Sequence, residues 1–403
     1  MPMTERVAIL GGGMFGACAA LGLARRGQRV VLVEGAHDLL EGAGRWNEGK
    51  IHLGFLYAGD PSLSTATRLI PGGLAFPDSI ERLIDDDISR FATVEDDLFL
   101  VHRKSVVDAA AYESYADRTA ELIREFSKQP DAGKYLADIR HATSRKLSAR
   151  ELAGVTSSDD VVAGFAVPER SVSTLAVADL LKAAVMNDPR IEVRLNAWVE
   201  GVRTRDDGRL DILCSGEGSR DLEAFDVVVN GLWESRIAVD ATVGIYPPAP
   251  WTHRFRATVY GHAPNASFRS AVICTGPFGG VNRYGDGRVY LSWYEAELLA
   301  EGNAIEPPRA EATLTEQRKA DVAASTIREL TKFFPGVAEL TDFEVHGGWV
   351  YAVGKGSLAD RASTLHRRDK FGIVRDGGYI SVDTAKYSLA PWIAARVVEM
   401  VIA

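Results

Sequence analysis

Two short apolar runs near the start of the chain predict buried parallel strands on either side of a helix. Residues 6–10 and 29–34 are largely apolar, as strands covered on both faces are. Residues 17–26 between them are rich in helix formers, end on two arginines and stop before Gly27. The pattern therefore predicts a βαβ unit at this end of the chain.

Farther along, the period of the apolar positions changes. Residues 106–126 carry alanine, glutamate and arginine at helical spacing without glycine or proline. Residues 253–262 and 288–294 instead alternate bulky and polar side chains, and the turn sequence YGDG stands at 284–287 between them. The first region therefore predicts a helix, and the other two predict antiparallel strands.

These patterns predict an α/β fold in which a discontinuous Rossmann-like domain carries two inserts. The Rossmann-like domain is expected from residues 1–75, 151–240 and 341–403. Residues 76–150 are expected to form a helical insert. Residues 241–340 are expected to form an α+β substrate domain, built on an antiparallel sheet that covers the cofactor as a roof.

A glycine-rich turn follows the first predicted strand and reads G-x-G-x-x-G. Gly11 permits the tight turn, Gly13 lets a pyrophosphate approach the backbone, and Gly16 lets the helix pack against the strand. The pyrophosphate would lie on the helix N-terminus, at Met14 and Phe15. Strand, turn, helix and strand in this order favour a dinucleotide site over an ordinary βα turn.

Glu34 ends the second predicted strand, where a carboxylate can accept hydrogen bonds from both adenosine ribose hydroxyls. Its negative charge disfavours a 2′-phosphate, so NADP is not expected. NAD and FAD share the same ADP half, and the βαβ unit alone leaves both open.

Composition narrows the class of protein. The 403 residues are 46% hydrophobic and 25% charged with a net charge of −9, so the chain is globular and its field repels nucleic acid. Three widely spaced cysteines argue against a disulfide framework or a cysteine metal site. The start of the chain lacks the pattern of a secretory signal, and no apolar run approaches a membrane span. A cytoplasmic protein without a metal or an integral membrane segment is expected.

Residues 42–57, GAGRWNEGKIHLGFLY, distinguish FAD from NAD. They resemble the segment after the second strand in the D-amino-acid oxidase-like (DAO) family of FAD-dependent oxidoreductases. The resemblance is nearest to the L-2-hydroxyglutarate dehydrogenase-like branch, which has an R-N-x-G-x-I-H-x-G pattern. Here Trp46 is inserted between Arg45 and Asn47. In that family the segment runs under the pyrophosphate and ribityl chain and brings its histidine close to the flavin.

Two later segments resemble the same family. Residues 226–233 match the strand that returns to the nucleotide-binding sheet, and Val199 lies in a stretch that usually contacts adenine through its backbone. Residues 378–390, with the helix 391–401, match the last strand, loop and helix. The resemblance implies FAD as the cofactor, and cofactor contacts from Arg45, Asn47, Gly49, His52, Val199, Thr384, Lys386, Tyr387 and Ser388.

The resemblance also implies a role for Lys386. With the positive helix end beside it, this lysine would stabilise the negative charge that develops when flavin accepts a hydride. Each residue alone has a simpler interpretation: Lys386 as a surface lysine, His52 as a core histidine, and Asn47 as a turn residue.

Candidate substrate residues lie in the predicted antiparallel sheet, where arginine pairs with carboxylates or phosphates and aromatic rings stack on apolar or sugar faces. The candidates are Arg254, Arg256, Arg283 and Tyr294. As a group they indicate a polar substrate, anionic or carbohydrate-like. Residues 346–354 lack the Gly-x-Arg with which amino-acid oxidases hold a carboxylate, and this favours an alcohol on a larger substrate.

The leading functional hypothesis is removal of a hydride from a CH–OH carbon, with His52 as the base. The partners would be a small-molecule substrate and an electron acceptor, which could be oxygen, a quinone or another acceptor. Oxidation of a CH–NH bond is the second hypothesis, and a non-catalytic flavin-binding protein is the third.

Overall fold

The computed structural model describes residues 5–130, 132–216, 220–309 and 313–403. Residues 1–4 lie outside these ranges. They belong to the predicted Rossmann-like domain and to the start of the chain, where no secretory signal is expected. Within them, no helix combines the length and apolarity needed to cross a membrane.

The described residues form mixed α/β structure. The strands are β1 (Val7–Leu10), β2 (Val30–Val33), β3 (Lys50–Ile51), β4 (Asp97–His102), β5 (Arg145–Lys146), β6 (Val161–Val167), β7 (Arg170–Ser171), β8 (Ile191–Arg194), β9 (Trp198–Thr204), β10 (Leu210–Ser215), β11 (Leu222–Phe225), β12 (Val227–Asn230), β13 (Trp251–His262), β14 (Ala271–Cys274), β15 (Gly279–Arg283), β16 (Arg288–Trp293), β17 (Leu298–Gly302), β18 (Thr341–Val353), β19 (Gly372–Asp376) and β20 (Tyr379–Asp383). The helices are α1 (Met14–Arg25), α2 (Ser64–Ile84), α3 (Ala109–Phe126), α4 (Ala149–Val155), α5 (Thr174–Asn187), α6 (Arg236–Thr242), α7 (Tyr294–Glu297), α8 (Glu316–Thr331) and α9 (Ala390–Ile402).

The predicted βαβ unit lies at the centre of a six-stranded sheet in the order β19-β20-β12-β1-β2-β8. All neighbours are parallel except β19, which runs antiparallel to β20. Helices α1, α5 and α9 bury their apolar faces on one side of the sheet, and the three-stranded sheet β9–β11 packs on the other. This confirms the Rossmann-like fold, with the ends of β1 and β2 opening toward the glycine-rich turn.

The second large sheet contains the strands predicted for the roof, and we call it the roof sheet. Its order is β17-β13-β16-β15-β14-β4-β6-β5, and β18 pairs with the other edge of β13. Ala257 and Val259 of β13 enter the core beneath α8. Because strand side chains alternate, Arg254, Arg256 and Tyr260 face the opposite side.

The predicted domain boundaries need correction at four strands. β4 and β5 lie in the expected helical insert, and β6 and β18 in the expected Rossmann-like segments, yet all four belong to the roof sheet. β18 pairs with β13 from Val353 to Thr341. The backbone N–H and C=O groups along this edge of β13 therefore have hydrogen-bond partners. The helical character of α3 was predicted correctly, but the apolar run of β4 before it is a strand that pairs with β14.

Candidate active site

The three glycines of the turn have different structural roles. Gly11 has a φ of +95°, and a Cβ on Gly16 would stand 1.8 Å from the carbonyl oxygen of Gly11. Both positions therefore need glycine for the fold itself. A Cβ on Gly13, by contrast, would meet nothing within 4 Å. The space over this residue is open, at the N-terminus of α1.

The first amides of α1 face this space. Gly13 caps the helix without a side-chain hydrogen bond, so the N–H groups of Met14 and Phe15 stay available for an anion. The side chains of the two residues are buried, and the ring of Phe15 packs where a Cβ on Gly231 would be. Only the backbone of Met14 and Phe15 can serve a ligand here.

Glu34 lies beside the turn at the end of β2. Its two carboxylate oxygens accept from the amides of Gly12 at 2.6 Å and Ala36 at 2.8 Å. Each oxygen keeps a free lone pair, which suits the two hydroxyls of a ribose. Val199 is buried on β9, and the ring of the adjacent Trp198 packs over Gly35.

The segment between residues 43 and 49 is organised by Asn47. Its amide nitrogen donates to the carbonyls of Ala43 and Gly44, both at 3.0 Å, and its side-chain oxygen accepts from Gly49 N–H at 2.8 Å. Gly49 has a φ of +61°, so glycine is favoured there. Arg45 forms an ion pair with Asp179 at 2.8 Å. The side chains of Asn47 and Arg45 therefore hold the loop in place, which agrees with the turn interpretation of Asn47.

Roof residues bind this segment directly. Tyr260 donates to the carbonyl of Asn47 at 2.6 Å, and Asn282 and Tyr284 donate to the carbonyl of Glu48 at 2.8 and 2.9 Å. The inserted Trp46 stacks on His346 of β18 with ring centroids 3.3 Å apart. The insertion thus fixes the loop against the roof.

His52 lies between two carboxylates. Its Nε2 is 3.3 Å from Glu48 Oε1, and its Nδ1 is 3.8 Å from Oε2 of the fully buried Glu169. The other oxygen of Glu169 accepts from the amide of Leu53 at 2.6 Å. His52 itself is 2% exposed, with the ring of Tyr57 packed edge-on at 5.7 Å. It is therefore a partnered histidine covered by protein atoms.

A two-stranded sheet brings these groups together. β3 and β7 pair so that Ile51 lies opposite Arg170, which places Glu169 next to His52. Tyr135 donates to the carbonyl of Ile51 at 2.7 Å and accepts from the amide of Arg170 at 2.9 Å, so it ties both strands. Lys50, two residues before His52, forms a buried ion pair with Asp97.

Four cations lie close enough to repel one another, and we call them the cationic cluster: Arg254, Arg256, Arg368 and Lys386. Arg256 pairs with the buried Glu297, and Arg254 donates to the hydroxyl of Tyr294 at 3.0 Å. Among the described residues, no carboxylate oxygen lies within 4.0 Å of Arg254, Arg368 or Lys386. The cluster therefore carries an excess of positive charge.

This excess is visible in the pKa values. Burial and then the nearby Arg368 lower the pKa of Lys386 to about 7, although Glu48 acts in the opposite direction. Burial and then Arg254 lower the pKa of Arg368 to about 10. Burial alone would raise the pKa of Glu48, but the hydrogen bond from His52 and the nearby cations hold it well below its usual range. An anion beside the cluster would relieve the repulsion among its members.

The loop before α9 carries the remaining candidates. Asp383 accepts from the amide of Ala385 at 2.8 Å and fixes the turn that presents Lys386. Thr384 is buried, and the Tyr387 hydroxyl and Ser388 Oγ are buried without a hydrogen-bond partner among the described residues. Unpartnered buried polar groups are costly, which is consistent with a ligand that completes them.

The sequence matches a family model over almost its whole length. The model is described as DAO, FAD-dependent oxidoreductase, and it matches residues 6–399. The chain belongs to the DAO family. This DAO-family protein is therefore an enzyme, its cofactor is FAD, and its reaction requires a substrate and an electron acceptor. The hypothesis of a non-catalytic flavin-binding protein is not retained.

Solved structures show the fold of this DAO-family enzyme in other proteins. Glycine oxidase from Geobacillus kaustophilus has a TM-score of 0.67 at 15% identity, covering 98% of this chain and 95% of its own. Iminodiacetate oxidase from Chelativorans sp. BNC1 has a TM-score of 0.66 at 18% identity, with the same coverages. L-α-glycerophosphate oxidase from Mycoplasma pneumoniae, with FAD bound, has a TM-score of 0.65 at 13% identity, covering 99% and 95%. No curated protein matches the sequence. At these identities the likeness establishes the fold alone.

The residues of this DAO-family enzyme fit FAD. The open space over Gly13 meets the free amides of α1, and Glu34 has free lone pairs at the end of β2. The unpartnered hydroxyls of Tyr387 and Ser388 lie in the loop that leads into α9. When bound, FAD supplies the acceptor of the hydride.

One predicted substrate residue lies elsewhere. Arg283 is exposed, and its guanidinium donates to the carbonyl of Ala266 at 2.8 Å. Its neighbours Asn282 and Tyr284 contact the loop at Glu48, and strand alternation turns Arg283 to the other face. Arg254, Arg256 and Tyr294 do come together, so the prediction of Arg283 needs correction.

Four residues of the site were not predicted from the sequence. Glu48 could have been, because it shares a face of the extended segment with Lys50 and His52 at a spacing of two. Tyr57 ends a short 3₁₀ helix, and Glu169 and Arg368 lie in loops. They carried no comparable signal, since their positions depend on the tertiary fold.

Proposed function

We propose that this enzyme oxidises the CH–OH carbon of a small carboxylate-bearing substrate, such as a hydroxy acid, with transfer of the hydride to bound FAD. The observation that carries the proposal is the cationic cluster, three of whose cations have no carboxylate partner within the part of the chain that the structure describes. Guanidinium groups bind carboxylates strongly and in a bidentate manner. Arg254 and Arg368 repel each other electrostatically, and an anion that joins them would offset this cost.

Arg368 supports a carboxylate-bearing substrate, although the lack of Gly-x-Arg in residues 346–354 had favoured an alcohol on a larger substrate. That stretch contains no arginine, and its Trp349 and Tyr351 pack around His253 on the other face of the roof. Arg368 comes from the loop between β18 and β19, beside Lys386. The carboxylate-binding role would thus be taken over by a different segment of the chain.

The group formed by Glu48, His52 and Glu169 supports alcohol oxidation. Removing a hydride from an alcohol carbon also requires removal of the hydroxyl proton, and this group supplies proton acceptors. Lys386 would stabilise the negative charge that reaches the flavin with the hydride. The resemblance of residues 42–57 to the L-2-hydroxyglutarate dehydrogenase-like branch supports the same reaction type.

The individual cofactor contacts are part of this proposal. Backbone groups would contact FAD at Gly11, Gly13, Met14, Phe15, Gly16, Gly49 and Val199, and side chains or loop amides at Glu34, Arg45, Asn47, Thr384, Lys386, Tyr387 and Ser388. Arg254, Arg256 and Tyr294 would contact the substrate.

A second candidate is oxidation of the CH–NH bond of an amino acid. The ionised Glu48 close to the cationic cluster favours it, because a carboxylate and unpaired arginines together suit a zwitterion. Glycine oxidase and iminodiacetate oxidase are among the proteins with a similar fold.

Anaerobic reduction of the bound flavin distinguishes the two reactions. Purified enzyme is mixed with 2-hydroxy acids and 2-amino acids of matched carbon skeleton, and the loss of flavin absorbance is followed. We expect reduction by hydroxy acids. Reduction by the amino acids alone would contradict the proposal and establish the second candidate.

A further inference from the structure

We propose that Glu48 presents the oxygen that receives the substrate hydroxyl proton, and that His52 and Glu169 stand behind it as positioning residues. The inference rests on the proposed oxidation of a CH–OH carbon and names the proton acceptor of that reaction. It replaces His52, the base expected from sequence, by its neighbour four residues earlier.

Exposure separates Glu48 from His52. The side chain of Glu48 is 32% exposed, whereas that of His52 is 3% exposed although only protein atoms cover it. A substrate held by the cationic cluster therefore reaches the carboxylate of Glu48 before the imidazole. Glu48 and Lys386 also shift each other's pKa, which places Glu48 next to the cluster.

Glu169 lies on the Nδ1 side of the imidazole. Its Oε2 and the Nδ1 of His52 face each other at 3.8 Å, and among the described residues neither has another hydrogen-bond partner. The hydrogen bond that lowers the pKa of Glu48 has His52 as its donor, so Nε2 carries an N–H. Nε2 lies 3.3 Å from Glu48 Oε1, and this N–H holds the carboxylate in place. His52 therefore positions Glu48 as the acceptor of the substrate proton.

The reaction balances with this proton position. The C–H and O–H bonds of the alcohol break and a C=O bond forms. The hydride, with both electrons, goes to FAD, and the proton goes to the carboxylate of Glu48, which the N–H on His52 Nε2 holds in place.

Charges around the pair keep Glu48 ionised before the reaction. Glu48 is faced by Lys50 on β3, His52, Lys386 in the C-terminal loop, and the hydroxyls of Tyr57, Tyr260, Tyr284 and Tyr290. His52 is faced by Glu48, Glu169 and Tyr57. The hydrogen bond from His52 and then the nearby cations lower the pKa of Glu48, so its carboxylate is ionised when the substrate binds.

The test compares Glu48→Gln, Glu169→Gln and the control Glu295→Gln, which changes an exposed carboxylate of α7. Variants are first matched for FAD content and flavin spectrum. We expect Glu48→Gln to slow anaerobic flavin reduction by about 10²–10⁴-fold. Glu169→Gln should slow it less and move the acidic limb of the pH profile to lower pH, because a negative charge near the protonated Glu48 is lost. Glu295→Gln should behave as the parent.

A second readout does not depend on turnover. In protein with ¹⁵N-labelled histidine, the ring resonances of His52, assigned with His52→Asn, report which nitrogen carries the proton. We expect Glu169→Gln to shift Nδ1 and Glu48→Gln to shift Nε2, with no change in Glu295→Gln. Unchanged His52 resonances, or full reduction rates in Glu48→Gln, would overturn the inference. Failure of the proposed function is seen separately, in the parent protein, as the absence of reduction by any hydroxy acid.

Discussion

The nucleotide-binding turn and the cationic cluster are built in opposite ways. The turn is one continuous segment, residues 11–16, and it works through backbone amides and through the absence of side chains. The cationic cluster takes charged side chains from β13 and from two separate C-terminal loops. A site made from local backbone is visible in a sequence motif, whereas a site assembled by tertiary structure is visible only in the fold.

The largest effect expected is at the turn itself, where two glycines separate fold from function. Gly16→Ala should lower the free energy of unfolding by about 3 kcal/mol, because its Cβ would collide with the backbone carbonyl of Gly11. Gly13→Ala should leave that free energy within about 0.5 kcal/mol of the parent, since nothing lies near its Cβ, while weakening FAD binding. Denaturant unfolding of the apoprotein and FAD titration measure the two. Equal destabilisation by both would contradict the separate roles.

Arg368 tests the cationic cluster. Arg368→Met should weaken binding of a carboxylate substrate by about 1.5–3 kcal/mol, the contribution of a hydrogen bond to a charged group, and should leave FAD affinity unchanged. Arg283→Met is the matched control, because that arginine is exposed and bonded to the carbonyl of Ala266. The KM for the substrate, or the dissociation constant of its oxo-acid product, measures the effect. A larger loss in Arg283→Met would place the anion site elsewhere.

Glu34 tests the predicted contact with the adenosine ribose of FAD, which depends on a side chain. Glu34→Ala removes the carboxylate that bonds Gly12 and Ala36 and would bind the ribose, so FAD affinity should fall by about 1–3 kcal/mol. Calorimetric titration of apoprotein with FAD gives this value. Affinity equal to the parent's would show that the carboxylate does not reach the ribose.

The smallest effect concerns Lys386 and depends on pH. Its pKa is lowered to about 7, so the ammonium is charged below pH 7 and loses its charge as the pH rises through that value. Lys386→Met should lower the flavin midpoint potential by about 30 mV, which corresponds to about 1.4 kcal/mol, at pH 6. The difference should disappear near pH 9. An equal difference at both pH values would mean that the charge of Lys386 does not act on the flavin.

The same contrast explains which parts of the fold and of the site could be predicted from the sequence. The tight turn at Gly11 and the close packing at Gly16 depend on neighbours within one βαβ unit, and the structure shows both. The contact of Glu34 with the ribose stays a prediction. The motif in residues 42–57 drew attention to His52. The burial of His52 behind Glu48 could not be predicted, because it depends on the β3–β7 pairing and on Tyr135 from a distant insert.

In the roof sheet, several features depend on long-range pairing and could not be predicted from local sequence patterns. Alternation along β13 correctly brought Arg254 and Arg256 to one face, but the opposite orientation of Arg283 required knowledge of the β15 register. Arg368 lies in a loop without regular structure, so no period or motif could connect it with β13. The assignment of β18 to the roof also depends on long-range pairing, which local patterns do not contain.

A matched pair of compounds shows whether the cationic cluster selects an anionic substrate for FAD-dependent oxidation. Anaerobic reduction of the bound flavin is measured with a 2-hydroxy acid that reduces it and with the amide of the same acid, which has the same shape without the charge. We expect rapid bleaching by the acid and a loss of about 10–200-fold in kcat/KM with the amide, which corresponds to about 1.5–3 kcal/mol of charged hydrogen bonding. Equal reduction by acid and amide would contradict this expectation.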